Sequence, residues 1–207
     1  MFYKADTRDH GMRYDPFKAI VAPRPIGWIG TKARDGTHNL SPYSFFNIVH
    51  DNPKIVMFSS GGLKDSARNA EDTGCFTTSL VSAHLMAQMN ASSVAVPHGV
   101  DEFQIAGLTA VQARLVDAPY VGEAYAAMEC VVTEVIRPRD RHGKPSDAVM
   151  VLGQVVGIHI DEGIIRDGRL DMSIARPMGR MGYMDYAEAS EVFELLRPKP
   201  PETAGGR

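Results

Sequence analysis

Two cysteines in 207 residues are too few for a disulfide framework. Cys75 and Cys130 each sit in an apolar, strand-like run, so both are expected to be buried thiols in a reducing compartment. No window approaches the roughly 18 uninterrupted apolar residues of a membrane span, and none is expected. Neither sign of charge dominates: Lys+Arg number 22 against Asp+Glu 25, for a formal net charge of -3. No basic run is placed to follow a nucleic-acid backbone, so no nucleic-acid partner is expected. Met1–His10 carries early acids and no apolar stretch, which argues against a secretory signal and leaves the cytoplasm as the expected compartment. Familiar catalytic motifs are missing as well. There is no GxGxxG, no GxxxxGK[ST], no CxxC, no HExxH and no GxSxG, and the seven histidines are scattered, so no metal site is expected. A cofactor that brings its own reactivity would explain that lack, because the protein then has only to bind, orient and tune it.

What is present is an ordinary globular composition, 44% hydrophobic and 23% charged, long enough for one sizeable core. Arg24–Thr31 reads as a barrel strand whose glycines let another backbone come close. Arg34-Asp35-Gly36 signals a hairpin turn, and Thr37–Leu40 starts the return strand. Lys54–Ser60 and Cys75–Val81 are further strands, the latter rich in β-formers. Between them Lys64–Asp72 reads helical, with Asp65 and Ser66 as caps and Gly74 just past its end. Ala83–Asn90, capped by Ser82, and Asp101–Ile105 are short helices. Ala110–Val116, Ala126–Arg137 and Val149–Asp161 are strands with no helix between them, which excludes a doubly wound α/β sheet. Ile164–Leu170 is a small hairpin element. The spacing predicts an amphipathic helix over Tyr186–Leu196 and a frayed tail over Pro198–Arg207. These elements describe a mainly β antiparallel barrel with short helical insertions. An N-terminal arm is expected over 1–14, one core over 15–185, and the helix with its tail over 186–207.

Two segments carry the functional signal. Asn39-Leu-Ser-Pro-Tyr-Ser-Phe-Phe-Asn47 is polar, aromatic and small at once. An irregular segment of that kind leaves backbone N–H and C=O groups free to line a flat ring. Ser41, Pro42, Tyr43, Ser44, Phe45 and Asn47 are its candidate lining residues. The second segment sets the hydroxyls of Ser59 and Ser60 ahead of Lys64 and Ser66 at a helix start, which suits a phosphate. A flat ring with a phosphate tail is the outline of flavin mononucleotide (FMN). Arg24 is a candidate for the phosphate or for a partner subunit, and Arg180 and Tyr183 for closing the pocket. Trp28 reads as core. Met178, Met181 and Met184 read as flexible packing. His159 projects from a strand, as a structural histidine or as a weak candidate beside the ring.

Pro23-Arg-Pro-Ile-Gly-Trp-Ile-Gly-Thr31, Asn39–Asn47, Lys64-Asp65-Ser66-Ala-Arg-Asn69 and Arg176-Pro-Met-Gly-Arg-Met-Gly-Tyr183 occur in that order. Together they resemble the flavin reductase-like, FMN-binding split-barrel family, and its flavoredoxin-like branch in particular, over about residues 15–185. The resemblance implies a six-stranded Greek-key split barrel and a homodimer with FMN near the subunit interface. Where the family has Thr in a Lys-Asp-Thr motif this chain has Ser66, whose hydroxyl is expected to keep the role. Arg180-Met-Gly182 departs from the family's Arg-x-Gly-Gly turn. The expected activity is NADH- or NADPH-dependent reduction of FMN, with the electrons passed to a flavin-dependent monooxygenase or another acceptor. Hydride transfer between stacked rings needs no obligatory protein acid or base. The alternatives are an FMN electron carrier reduced by a protein donor, and a flavin-binding module without turnover.

Overall fold

The computed structural model describes residues 1–199. Its first strands are β1 (Arg24–Pro25), β2 (Gly27–Lys32), β3 (His38–Tyr43), β4 (Phe46–Asp51) and β5 (Lys54–Gly61). Next come β6 (Cys75–Leu80), the short β7 (Ala110–Gln112) and β8 (Pro119–Val121), and the long β9 (Ala126–Ile136) and β10 (Ala148–Ile160). β11 (Ile165–Arg166), β12 (Arg169–Leu170), β13 (Met178–Arg180) and β14 (Tyr186–Glu188) complete the series. The helices are short: α1 (Phe17–Ile20), α2 (Asp65–Thr73), α3 (Met86–Ala91), α4 (Glu102–Ala106) and α5 (Met172–Ala175). None of these helices is long and apolar enough to cross a membrane.

Seven strands form one antiparallel sheet in the order β3-β2-β6-β9-β10-β5-β4. Its two edge strands, β3 and β4, are neighbours in sequence, joined only by Ser44 and Phe45. A flat sheet cannot bring its opposite edges within two residues of each other, so this one curls into a half-barrel with a seam at Ser44–Phe45. The Ser59 N–H donates to the Phe45 carbonyl at 2.8 Å and helps tie the seam.

β2 sits inside the wall, paired with β3 on one side and β6 on the other. Successive side chains on a strand point to opposite faces, and β2 feeds two cores. Ile29 packs with Phe58, Phe76, Cys130 and Val151 under Ala67 and Ala70 of α2. Trp28 packs with Leu40, Val81, Met89 and Phe103, and its indole N–H donates to the Ser92 hydroxyl at 2.9 Å. Each such buried side chain contributes about 1.5–3 kcal/mol. Both cysteines are free and buried, and burial pushes the Cys130 thiol up.

The mainly β barrel reading holds, with one strand more than the six expected, because Phe46–Asp51 pairs with β5 as β4. The Ser41–Asn47 segment is correspondingly less irregular than expected: its ends are strand and only Ser44–Phe45 is free. The C-terminal helix is absent. Tyr186–Glu188 is strand β14, paired with β13, and residues 189–199 have no regular structure. An apolar helical stripe needs a surface to cover, and here Val192, Phe193, Leu195 and Leu196 meet none, with Phe193 89% exposed. The tail from residue 200 onward lies outside the described residues. Asp65 does not cap α2. It pairs with Arg68 at 3.0 Å and His98 at 2.8 Å, and Lys64 takes the N-cap position. Ser82 makes no side-chain cap, and the predicted Ala83–Asn90 helix divides into a 3-10 turn and α3.

Candidate functional site

The barrel seam opens into a cavity of about 570 Å³, within the ~300–1,000 Å³ common for small-molecule sites. The inner wall is the seam itself, Ser41, Pro42, Tyr43, Ser44 and Phe45. Ser59 and Gly61 come from the end of β5, and Lys64 stands at the start of α2. Between them Gly62, at φ +92°, makes a turn that side-chain-bearing residues rarely adopt. The outer wall is Arg24 of β1, Arg180 of β13 and Tyr183 beyond it. Apart from the two glycines, these ten residues were singled out from sequence, and the structure brings them to one cavity.

Three candidates stand apart from it. Ser60 alternates with Ser59 on β5 and points inward, so only Ser59 faces the cavity. Ser66 is buried on the inner face of α2 beside Asn69 and Ala70, and its hydroxyl donates to Asn39 Oδ1 at 2.6 Å. Asn47 is exposed on β4, where its Oδ1 accepts from the Ile48 N–H at 2.8 Å. Sequence reasoning also missed Lys18, Met89, Asn90, Ser93 and Tyr186, which line the cavity from α1, the α3 region and β14.

A buried polar network holds the inner wall. Glu102 of α4 accepts from the Asn39 amide at 2.9 and 3.0 Å and from the Leu40 N–H at 3.0 Å. Burial pushes the Glu102 carboxyl up, against the downward pull of those donors. With its NH₂ committed to Glu102, Asn39 can only accept from Ser66. Ser66 is therefore a strut between α2 and β3 and fixes the strand carrying Ser41–Tyr43. Burial likewise pushes the Tyr43 phenol up, while the hydroxyls of Ser66, Ser60 and Ser41 act in the opposite sense.

Arg24 is only 8% exposed. Its Nη1 donates to the carbonyls of Lys18 and Val21, both at 2.5 Å, and its Nη2 to that of Met181 at 2.9 Å. Arg180 lies over the Tyr186 ring, 4.3 Å from its centroid, and donates from Nη2 to the Tyr183 carbonyl at 2.7 Å. His159 does not line this cavity. Its ring stacks on Tyr120 at 4.4 Å and its Nε2–H donates to Glu129 at 2.5 Å, beside a separate depression.

A curled antiparallel half-barrel with a polar cavity at its seam is a split-barrel fold. The chain belongs to the flavin reductase like domain family, whose model matches residues 21–174. An uncharacterized protein of Halalkalibacterium halodurans is 33% identical over 198 residues, 93% of this chain and 94% of that protein. Another, from Deinococcus radiodurans, is 37% identical over 89% of this chain and 84% of its own length. Among solved structures, nitrilotriacetate monooxygenase component B from Bacillus cereus is similar at TM-score 0.85 and 28% identity, covering 94% of this chain and 98% of its own. Flavoredoxin of Desulfovibrio vulgaris matches at TM-score 0.72 and 25% identity, covering 89% and 93% respectively.

Proposed function

We propose that this chain binds FMN at the barrel seam and reduces it with NADH or NADPH, for use by a separate electron acceptor. The observation that carries this reading is the convergence of Ser41–Phe45, Ser59 and Lys64 on one cavity within a flavin reductase-like fold. The residues present fit the cofactor. Seam backbone groups can meet the polar edge of a flat ring, with Tyr43 and Phe45 beside it. Lys64, Ser59 and the first turn of the nine-residue α2 can meet a phosphate. Among the described residues no Asp or Glu lines the cavity, and the Asp65 carboxylate in that first turn is paired with Arg68 and His98.

When bound, FMN supplies the hydride-accepting chemistry. This chain's part is to orient two rings, exclude water from their contact and place cations near developing negative charge. The likeness to a monooxygenase component B favours a flavin-dependent monooxygenase as acceptor, and the flavoredoxin likeness keeps an electron carrier as the second reading. Adding NADH or NADPH to FMN-loaded protein tests the choice. Rapid bleaching of the flavin's visible absorbance is expected, and FMN binding with no bleaching by either nicotinamide would leave the carrier. His159→Gln should slow bleaching by less than about tenfold, whereas a lost general acid or base costs about 10²–10⁴-fold.

Lys64→Ala should weaken FMN by about 10–100-fold, since a charge-assisted contact contributes about 1.5–3 kcal/mol. Riboflavin, which lacks the phosphate, should bind almost as before. Fluorescence titration with both flavins measures this, and equal losses would remove Lys64 from the phosphate.

The same reading includes a homodimer. Ile48 (71% exposed), Val49, Val131, Val156, Ile158 and Ile160 leave β4, β9 and β10 with apolar outward positions. An apolar cleft of about 320 Å³ lies between Ile158 and Ile160 and the α5–β13 segment. Light scattering should give twice 22.6 kDa at low micromolar concentration. A monomer that still holds FMN would count against it.

A further inference from the structure

We propose that the seam cavity contains a second anion subsite, built by Lys18, Arg24 and Arg180, which takes the phosphate or carboxylate of the reactant that meets the flavin. This rests on the FMN reading and extends it. Among the described residues the cavity is lined by four cations, Lys18, Arg24, Lys64 and Arg180, and by no carboxylate, although the chain as a whole carries more acids than bases. Among the described residues none of the four is in a salt bridge. FMN has one phosphate, and Lys64 with Ser59 and the α2 start accounts for it. Three cations remain, on α1, β1 and β13.

Their arrangement lacks a counter-charge. Arg24 and Arg180 are direct cross-strand partners in the β1–β13 pairing, where like charges destabilise. Arg24 donates only to neutral carbonyls, and its Nε is buried with no partner. An anion bound beside the two guanidinium groups relieves the repulsion. Burial, and then Arg180, hold Arg24 below the ordinary arginine value. Tyr183 and Tyr186 hold the Arg180 fork in place at the rim. Lys18, Tyr183 and Met184 are exposed, so a ligand there can come and go past a flavin seated deeper at the seam. This suits a reactant that exchanges every turnover. Two classes share the chemistry: the phosphates of a reduced nicotinamide dinucleotide, and the carboxylate of an aromatic acid acceptor.

The test uses FMN-loaded full-length protein titrated with inorganic pyrophosphate and, separately, benzoate, read by perturbation of the flavin spectrum. Arg180→Met and Lys18→Met retain chain length without charge. Each should raise the dissociation constant of the effective probe by about tenfold while FMN affinity stays within about twofold, which also reports that the variants are folded. Lys64→Ala should show the reverse pattern. A response to pyrophosphate identifies the dinucleotide, and one to benzoate alone identifies the acid acceptor. The proposal is overturned if neither probe perturbs wild type, or if FMN and probe affinities fall together in Arg180→Met and Lys18→Met. Should wild type bind no FMN, the functional reading fails separately. The subsite is then decided in the Lys64→Ala background: a pyrophosphate-induced thermal shift that Arg180→Met abolishes supports it, and no shift refutes it.

Discussion

Glu129→Ala is expected to lower the unfolding free energy by about 2–4 kcal/mol, from stranded donors worth about 1–3 kcal/mol each. Glu129 of β9 is 1% exposed. Its carboxylate accepts from three consecutive backbone N–H groups in the β7–β8 loop, Arg114 at 2.9 Å, Leu115 at 2.6 Å and Val116 at 3.2 Å. His159 supplies a fourth donor. Alanine would leave the buried Val116 amide unpaired and the other donors only partly hydrated. Burial pushes this carboxyl up, but the Arg114 N–H, His159 and the Leu115 N–H outweigh it, and the net position is below the ordinary glutamate value. The sign follows: the stabilisation is complete above the unfolded-state value of about 4.3 and is lost as pH falls through the lower folded value. Urea unfolding over a pH series should show wild type losing stability on this acid limb and Glu129→Ala a shallower loss, since Asp9, Asp35, Asp171 and Glu188 are also held below their ordinary values. Equal acid limbs, or a loss under about 0.5 kcal/mol, would remove Glu129 from this role. The loop lies outside the seam cavity, so FMN affinity at low temperature should survive the substitution.

Much of the fold was legible because strand period and turn chemistry are local. Gly36 at φ +93° and Gly74 at φ +73° close the hairpin and end α2, as turn and cap glycines should. β4 escaped because a bulge between Ile48 and His50 breaks its alternation, leaving Ile48 and Val49 adjacent, both exposed and without a clean period of two. The Tyr186–Leu196 helix failed for the opposite reason: its periodicity is local, but whether a surface awaits it is not.

The site was legible where the motif segments lie at the seam. The misplaced residues obey rules the sequence already contained. Ser59 and Ser60 cannot both face a cavity from one strand. Ser66 shares a helix face with Asn69 and Ala70, and small residues there signal the core side. Lys18, Asn90, Ser93 and Tyr186 left no such trace, since their places depend on how distant elements pack against the seam. His159 was ambiguous in sequence because only the β9–β10 pairing brings it to Glu129.

Two glycines of β2, three residues apart, should fail in different ways when changed to alanine. A Cβ on Gly30 would overlap the Pro119 carbonyl oxygen of β8, with the Thr77 hydroxyl close behind it. That oxygen is backbone, and Thr77 Oγ1 already donates to it at 2.5 Å, so the β7–β8 pair would have to shift away from β2. Gly30→Ala should therefore cost about 3 kcal/mol, the upper end of overpacking penalties. A Cβ on Gly27 would overlap the ring of Phe46, a half-buried side chain that can swing. Its fold penalty should be nearer 1 kcal/mol. Phe46, however, follows Phe45 directly at the seam, and Gly27 is registered opposite Tyr43. Displacing that ring moves the inner wall, so on the proposed reading Gly27→Ala loses about tenfold in FMN affinity, or about 1.4 kcal/mol. Urea unfolding and FMN titration on both variants separate the effects. A Gly30→Ala protein as stable as wild type would mean that β8 yields, and a Gly27→Ala protein with unchanged FMN affinity would place the flavin away from the Tyr43–Phe46 seam.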